Sequence, residues 1–213
     1  MINSDFLDQQ KWRYATKKFD PSKKISENDL NYIIEAAQLS TSSYGLQPYQ
    51  LIHIKNDKLR QAILPLAWQQ KQIIDASDLF IIANHKVFEP EHIDGFIEFT
   101  SNERQIAIEK LLGYQSFMKS KIFELNENEL FNWTQKQCYL VLANMMNAAA
   151  ALKIDATPME GFSPAAVNEL LKLDELNLNA TLIITLGYRH IEDTNQHLKK
   201  IRKPISELLI TLE

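Results

Sequence analysis

The sequence predicts an α+β fold in which helices surround a central sheet. Segments with apolar residues at helical spacing are interspersed with short apolar runs of strand length. These runs do not follow the strict helix-for-every-strand order of a doubly wound parallel sheet. No linker, repeat or low-complexity tract divides the 213 residues, 45% of which are hydrophobic, so a single domain spanning 1–213 with a sizeable core is expected.

In chain order, Ser26 opens a helix to about Leu39, with an acidic first turn and Leu30, Ile33, Ile34 and Ala37 at helical spacing. STSSYGLQPYQ is dense in turn formers and reads as a loop. QLIHIK reads as a short strand, DKLRQAILPLAWQQKQIIDAS as helical, and DLFIIANH as a buried strand. The stretch from Glu89 to Asn126 is mostly helical in pattern and is expected to form a mobile cap over whatever site exists, with Phe117 and Phe123 as lid aromatics or core residues. A long helix is expected from Glu129 to Lys153.

Within that helix, Tyr139 to Leu152 is apolar nearly all round, too short to cross a bilayer, and should be enclosed on every side. A subunit interface and a monomer's own core explain this equally well. DATPMEGF then gives a strand ending in a turn at Gly161, and SPAAVNELLKL a helix with Ser163 as N-cap and Pro164 at its first position. ATLIITLGY is a strand, and HLKKIRKPISELLITLE a basic cluster followed, after Pro204, by a strand-like end.

Several function classes are excluded. A net charge of −4 advertises no basic face for nucleic acid. The single cysteine, Cys138, forbids an internal disulfide and suits a reducing compartment; in its helical apolar setting it reads as a small buried hydrophobe rather than a nucleophile. The first residues lack the apolar core of a secretory signal, so a cytoplasmic protein is expected. The five glycines form neither a G-x-G-x-x-G turn nor a P-loop, and the histidines show no metal-ligand spacing.

Basic residues near both chain ends remain. Arg13 and Lys17 would share a face if their segment were helical, and Lys200 and Arg202 one side of an extended segment. A phosphate monoester, with a charge of about −1.5 to −2 and three acceptor oxygens, suits such a mixed cluster. A solvated surface is the competing reading.

Four blocks discriminate between these readings. RYATKKFD, AAQLSTSSYGLQPYQLIHI, PMEGF and LKKIRKP resemble the nitroreductase family in wording and in order, over nearly the whole chain. The resemblance implies an intertwined homodimer with a mostly antiparallel sheet and tightly bound FMN at the interface, the apolar helix packing against the partner. Arg13, Lys200 and Arg202 resemble the family's phosphate clamp, and Lys17 the cation near the flavin pyrimidine, with Tyr14 and Ala15 in the same contact set. A cation there would stabilise the negative charge that accumulates on reduced flavin.

Pro158, Glu160 and Gly161 match the turn whose backbone N–H faces flavin N5, Gly161 allowing a close approach. Ser42 and Ser43 match the loop that reaches the flavin across the dimer, closed by Gln47 and Pro48. Gln69 matches an amide that reads the pyrimidine edge, and Gln72 stands where some members carry a second lysine. The implied reaction is ping-pong: NADH or NADPH delivers hydride, and a small nitroaromatic or quinone-type acceptor then removes it, with no catalytic side chain named. A flavin reductase, and a flavin-binding dimer without turnover, are the alternatives.

Overall fold

In the computed structural model of the protein, residues 5–212 are described; residues 1–4 and 213, the start of the N-terminal reading and the end of the tail reading, lie outside the described residues. The elements are α1 (Asp5–Trp12), α2 (Glu27–Gln38), β1 (Tyr49–His53), α3 (Asp57–Leu66), α4 (Gln72–Asp75), β2 (Asp78–His85), α5 (Pro90–Arg104), α6 (Leu112–Ile122), α7 (Glu127–Ala151), β3 (Asp155–Met159), α8 (Pro164–Leu171), β4 (Leu178–Gly187) and α9 (Ile205–Leu208).

The strands form one sheet in the order β1-β2-β4-β3, antiparallel at every pairing. The central strand β2 is buried on both faces, because successive side chains point to opposite sides. Phe80 and Ile82 pack with α2 and α7 on one side; Leu79, Ile81 and Ala83 pack with residues of α3 and α8 on the other. Each of the larger side chains, Leu79, Phe80, Ile81 and Ile82, withdrawn from water contributes about 1.5–3 kcal/mol. In β4 the register shifts between Leu182 and Ala180, so Thr181 is an extra residue. The bulge moves Leu178 and Ala180 to the α8 side, whereas Leu182, Ile184 and Leu186 face α7. Its polar groups are satisfied around Asn84 Oδ1, which accepts from the Asn179 amide at 2.9 Å and the Thr181 hydroxyl.

Local chemistry explains the helix ends. Ser26 Oγ accepts from Asp29 N at α2, and Asn126 with Glu129 forms a reciprocal capping box that starts α7 two residues before the expected point. Ser163 caps α8, with Pro164 inside it as expected.

Three expectations are corrected. The helix drawn through residues 57–77 is two pieces: with Pro65 in its last turn, α3 stops at Leu66, and Trp68 and Gln69 take left-handed backbone angles before α4 begins. Arg13 and Lys17 do not share a helical face, because α1 ends at Trp12 and the chain runs on extended, with Ala15 bridged to Ala156. The strand-like end of the tail forms the short helix α9 and then, within the described residues, no strand. The single protomer leaves Lys136, Tyr139, Leu140, Ala143 and Ala151 of α7 as an exposed stripe, so of the two readings of this helix the protomer's own core does not enclose it. Cys138 on the same helix is fully buried, and burial pushes its thiol up to about 12, as suits a small core residue.

Residues 89–126 are helical, and α5 and α6 share an apolar cluster of their own formed by Phe88, Ile93, Ile97, Met118 and Ile122. Phe117 and Phe123 are exposed. Where α5 meets β2, the His85 ring lies 4.8 Å from that of His92 and, among the described residues, its Nδ1 is buried without a hydrogen-bond partner. Burial, reinforced by His92, pushes the His85 imidazole down to about 4 from its ordinary 6.5. Between these values the unfolded chain binds a proton that the folded chain does not, so folded stability falls as pH drops through that window. His85→Phe is therefore expected to shrink the fall in urea midpoint between pH 7.5 and pH 5; an equal fall in parent and variant would contradict this.

Candidate functional site

The two chain ends meet. The C-terminus of α1 presents the carbonyls of Gln10 and Arg13, and the Lys200 ammonium donates to both, as suits a cation at the negative end of a helix. Arg13 donates from Nε to Gln10 Oε1 at 2.6 Å, and Arg202 from Nη1 to Ile201 O at 2.7 Å. Arg13, Tyr14, Ala15, Lys200 and Arg202 thereby line one cavity of about 320 Å³. Among the described residues, the hydrogen bonds of these three cations go to an amide or to carbonyls. Burial, and then neighbouring Arg202, lower the Arg13 guanidinium; burial, then Arg13 and Arg202, lower the Lys200 ammonium.

Two buried carboxylates hold the segment that carries Arg13. Asp193 Oδ2 accepts from the Tyr14 hydroxyl at 2.9 Å, Lys17 N at 2.8 Å and Lys18 N at 3.1 Å. Burial pushes this carboxyl up, but these donors and the Asn195 N–H outweigh it and hold it below the usual carboxylate range. Asp155 takes the Arg189 side chain at 2.6 and 2.9 Å, and that guanidinium lies over the rings of Trp12 and Tyr14, 4.4 and 4.6 Å from their centroids. Lys17 belongs to this segment, but its side chain is exposed and does not line the cavity.

A second group surrounds the end of the edge strand β3, where Pro158 is tolerated because an edge strand can do without one ladder donor. Glu160 Oε1 accepts from the Tyr139 hydroxyl at 2.6 Å, a bond that, with burial, pushes the phenol up to about 12. Gly161 keeps a φ outside the left-handed region. Its missing side chain matters for contact: a Cβ there would stand 2.7 Å from Cε3 and Cζ3 of Trp68. The Gln70 amide donates to Gly161 O at 2.9 Å, whereas Gln69 is exposed. Gln72 is buried at the start of α4.

Ser42 and Ser43 stand apart from the cation cavity. Ser42 Oγ accepts from Gln47 N at 2.9 Å, and Ser43 N donates to Gln137 Oε1 on α7 at 2.8 Å. Arg13 by contrast is hydrogen-bonded to Gln10, which donates to Asn147 on α7, ten residues beyond Gln137. At 1.5 Å per residue that is about 15 Å along the helix.

Sequence reading missed Gln10, Trp68, Gln70, Tyr139 and Asp193. None of them stood out by spacing or composition; the contacts of Trp68 and Gln70 follow from the left-handed break after α3, which helical spacing conceals.

The nitroreductase family matches residues 11–188 of the chain. A Staphylococcus haemolyticus protein provisionally named an NAD(P)H nitroreductase is 35% identical over 208 residues, 93% of each chain. A Bacillus subtilis protein with the same provisional name, YfkO, is 32% identical, covering 88% of this chain and 90% of its own. Among solved structures, a B. subtilis protein provisionally described as a nitroreductase, ydfN, superposes with a TM-score of 0.88 at 20% identity over 98% of this chain and 99% of its own. Another such protein, from Exiguobacterium sibiricum and solved in complex with FMN, has a TM-score of 0.81 at 20% identity over 100% and 99%. The structural likeness fixes the fold, and the sequence match over most of the chain fixes more: this protein belongs to the nitroreductase family.

Proposed function

We propose that the protein is a cytoplasmic, homodimeric FMN-dependent oxidoreductase that takes hydride from NADH or NADPH and passes it to nitroaromatic or quinone-type acceptors by a ping-pong route. The observation that carries this reading is the gathering of Arg13, Lys200 and Arg202 around one cavity. Like charges so placed repel, and a phosphate dianion relieves the repulsion. The residues fit: Lys200 gives two donors to carbonyls and keeps a third, and both terminal nitrogens of Arg13 point to no partner among the described residues' hydrogen bonds. The relatives' names supply the NAD(P)H donor, and a structural neighbour with FMN the cofactor.

When bound, FMN supplies the two-electron chemistry. The chain's part is to hold and to position. Arg13, Lys200 and Arg202 are assigned to the phosphate, with Tyr14 and Ala15 on the cavity wall. Lys17, Gln69, Pro158, Glu160 and the Gly161 backbone are assigned to the ring end. Ser42 and Ser43, remote from Arg13 within one chain, are assigned to the partner's cofactor.

The surface supports a dimer. Ile201, Ile205, Leu208, Leu209, Ile210 and Leu212 in the tail are all between 63% and 90% exposed. Together with the bare stripe of α7 they form more apolar surface than a solitary chain usually shows to water. A second copy covers both. Sedimentation at low micromolar concentration is expected to show a dimer for the full chain and dissociation after deletion of residues 205–213. A full-length monomer with complete FMN occupancy would contradict the placement of Ser42 and Ser43.

The phosphate assignment is tested by titrating apoprotein with FMN and with riboflavin, followed by flavin fluorescence. Arg202→Ala removes charge-assisted bonds worth about 1.5–3 kcal/mol, an expected loss of about ten- to a hundredfold for FMN and little for riboflavin. Equal losses for the two ligands, or none for FMN, would make the basic tail a solvated surface.

A further inference from the structure

We propose that Gln10 is a positioning residue of the cofactor site: held by Asn147 of α7, its amide turns the Arg13 guanidinium toward the phosphate, and its carbonyl seats Lys200 beside it. This rests on the cofactor reading above.

One glutamine touches two of the three cations assigned to the phosphate. Its side chain accepts from Arg13 Nε at 2.6 Å, and its main-chain oxygen accepts from the Lys200 ammonium. That oxygen is open to Lys200 because α1 ends at Trp12, which leaves the last carbonyls of the helix without an intrahelical donor. The Nε of an arginine only donates, so the oxygen of the Gln10 amide faces Arg13 and its Nε2 faces away. There Nε2 meets Asn147 Oδ1 at 2.9 Å, an acceptor supplied by α7, 137 residues further along the chain. The amide is thus fixed at both ends, and the guanidinium is fixed with it.

With Nε occupied, the two terminal nitrogens of Arg13, which donate to no described residue, remain as a fork on the cavity that Arg13 lines with Lys200 and Arg202. Gln10 itself does not line that cavity, so it acts through the two cations. Its neutrality matters. A carboxylate at position 10 would hold Arg13 as well, but it would cancel a positive charge and repel a bound dianion. An amide orients the cation and leaves its charge to the ligand.

The test titrates apoprotein of the full chain with FMN and with riboflavin, followed by flavin fluorescence, and reads the ratio of the two Kd values. Gln10→Leu, similar in size, is expected to lower the preference for FMN about tenfold and to leave riboflavin almost unchanged. Gln10→Glu is expected to lower it at least as far, because the carboxylate neutralises Arg13. Asn147→Leu lowers it less, in the same direction; a parental ratio there overturns the part assigned to Asn147. Equal losses for the two ligands in Gln10→Leu would make Gln10 a support of the fold, and an unchanged ratio would make it a bystander. Either result overturns the inference, while a loss confined to FMN in Arg202→Ala still upholds the cofactor reading. Should Gln10→Leu fail to fold, Gln10→Glu decides alone, a parental ratio overturning the inference. A parent protein that binds FMN no better than riboflavin overturns the phosphate assignment and this inference with it.

Discussion

Arg13, Lys200 and Arg202 are drawn together although like charges repel, and the rest of the site follows from what holds them there. Lys200 satisfies the carbonyl end of α1, which anchors the C-terminal tail beside the N-terminal segment. Asp193 takes N–H groups and a hydroxyl from residues 14–18, fixing that segment against the loop after β4. Neither carboxylate nearby is spent on the cluster: Asp155 pairs with Arg189, and Asp193 with backbone donors and Tyr14. These two carboxylates therefore leave the cluster's positive charge unneutralised, and burial first, then the neighbouring cations, lowers both the Arg13 guanidinium and the Lys200 ammonium.

The scaffold that allows this is the antiparallel sheet. Because β2 and β4 are buried on both faces, polar chemistry is driven to the edge strand β3, whose outer side meets Ala15 and whose end leads into the Gly161 turn. The cation cavity and the Gly161 turn thus lie along one edge, about 16 Å of strand apart by the rise of an extended chain over five residues. Ser43 meets α7 at Gln137, ten residues before Asn147, where Gln10 joins the helix beside the cation cavity.

Much of the fold was legible because its signals are local. DLFIIANH and ATLIITLGY could be read as strands from composition alone, and Ser26, Ser163 and Pro164 marked helix starts by chemistry that acts within three or four residues. The misreadings involve features with no local signature. The break after Leu66 depends on two residues adopting left-handed angles, which their identities do not announce. The tail reads as strand because Ile210 and Leu212 are aliphatic, yet among the described residues it joins no strand of the sheet. For the site, the resemblance supplied Arg13, Lys200 and Arg202, which the structure brings to one cavity. Trp68 and Gln70 became visible only once Gly161 had neighbours in space.

The central claim, that this chain binds FMN as a working redox cofactor, is tested most directly by anaerobic addition of NADH or NADPH to the purified protein while the visible spectrum is recorded. The account predicts a yellow protein whose flavin band bleaches with at least one donor and returns when a quinone or nitroaromatic compound is added. A protein that stays colourless even after incubation with FMN, or a yellow one that neither donor bleaches, would contradict it.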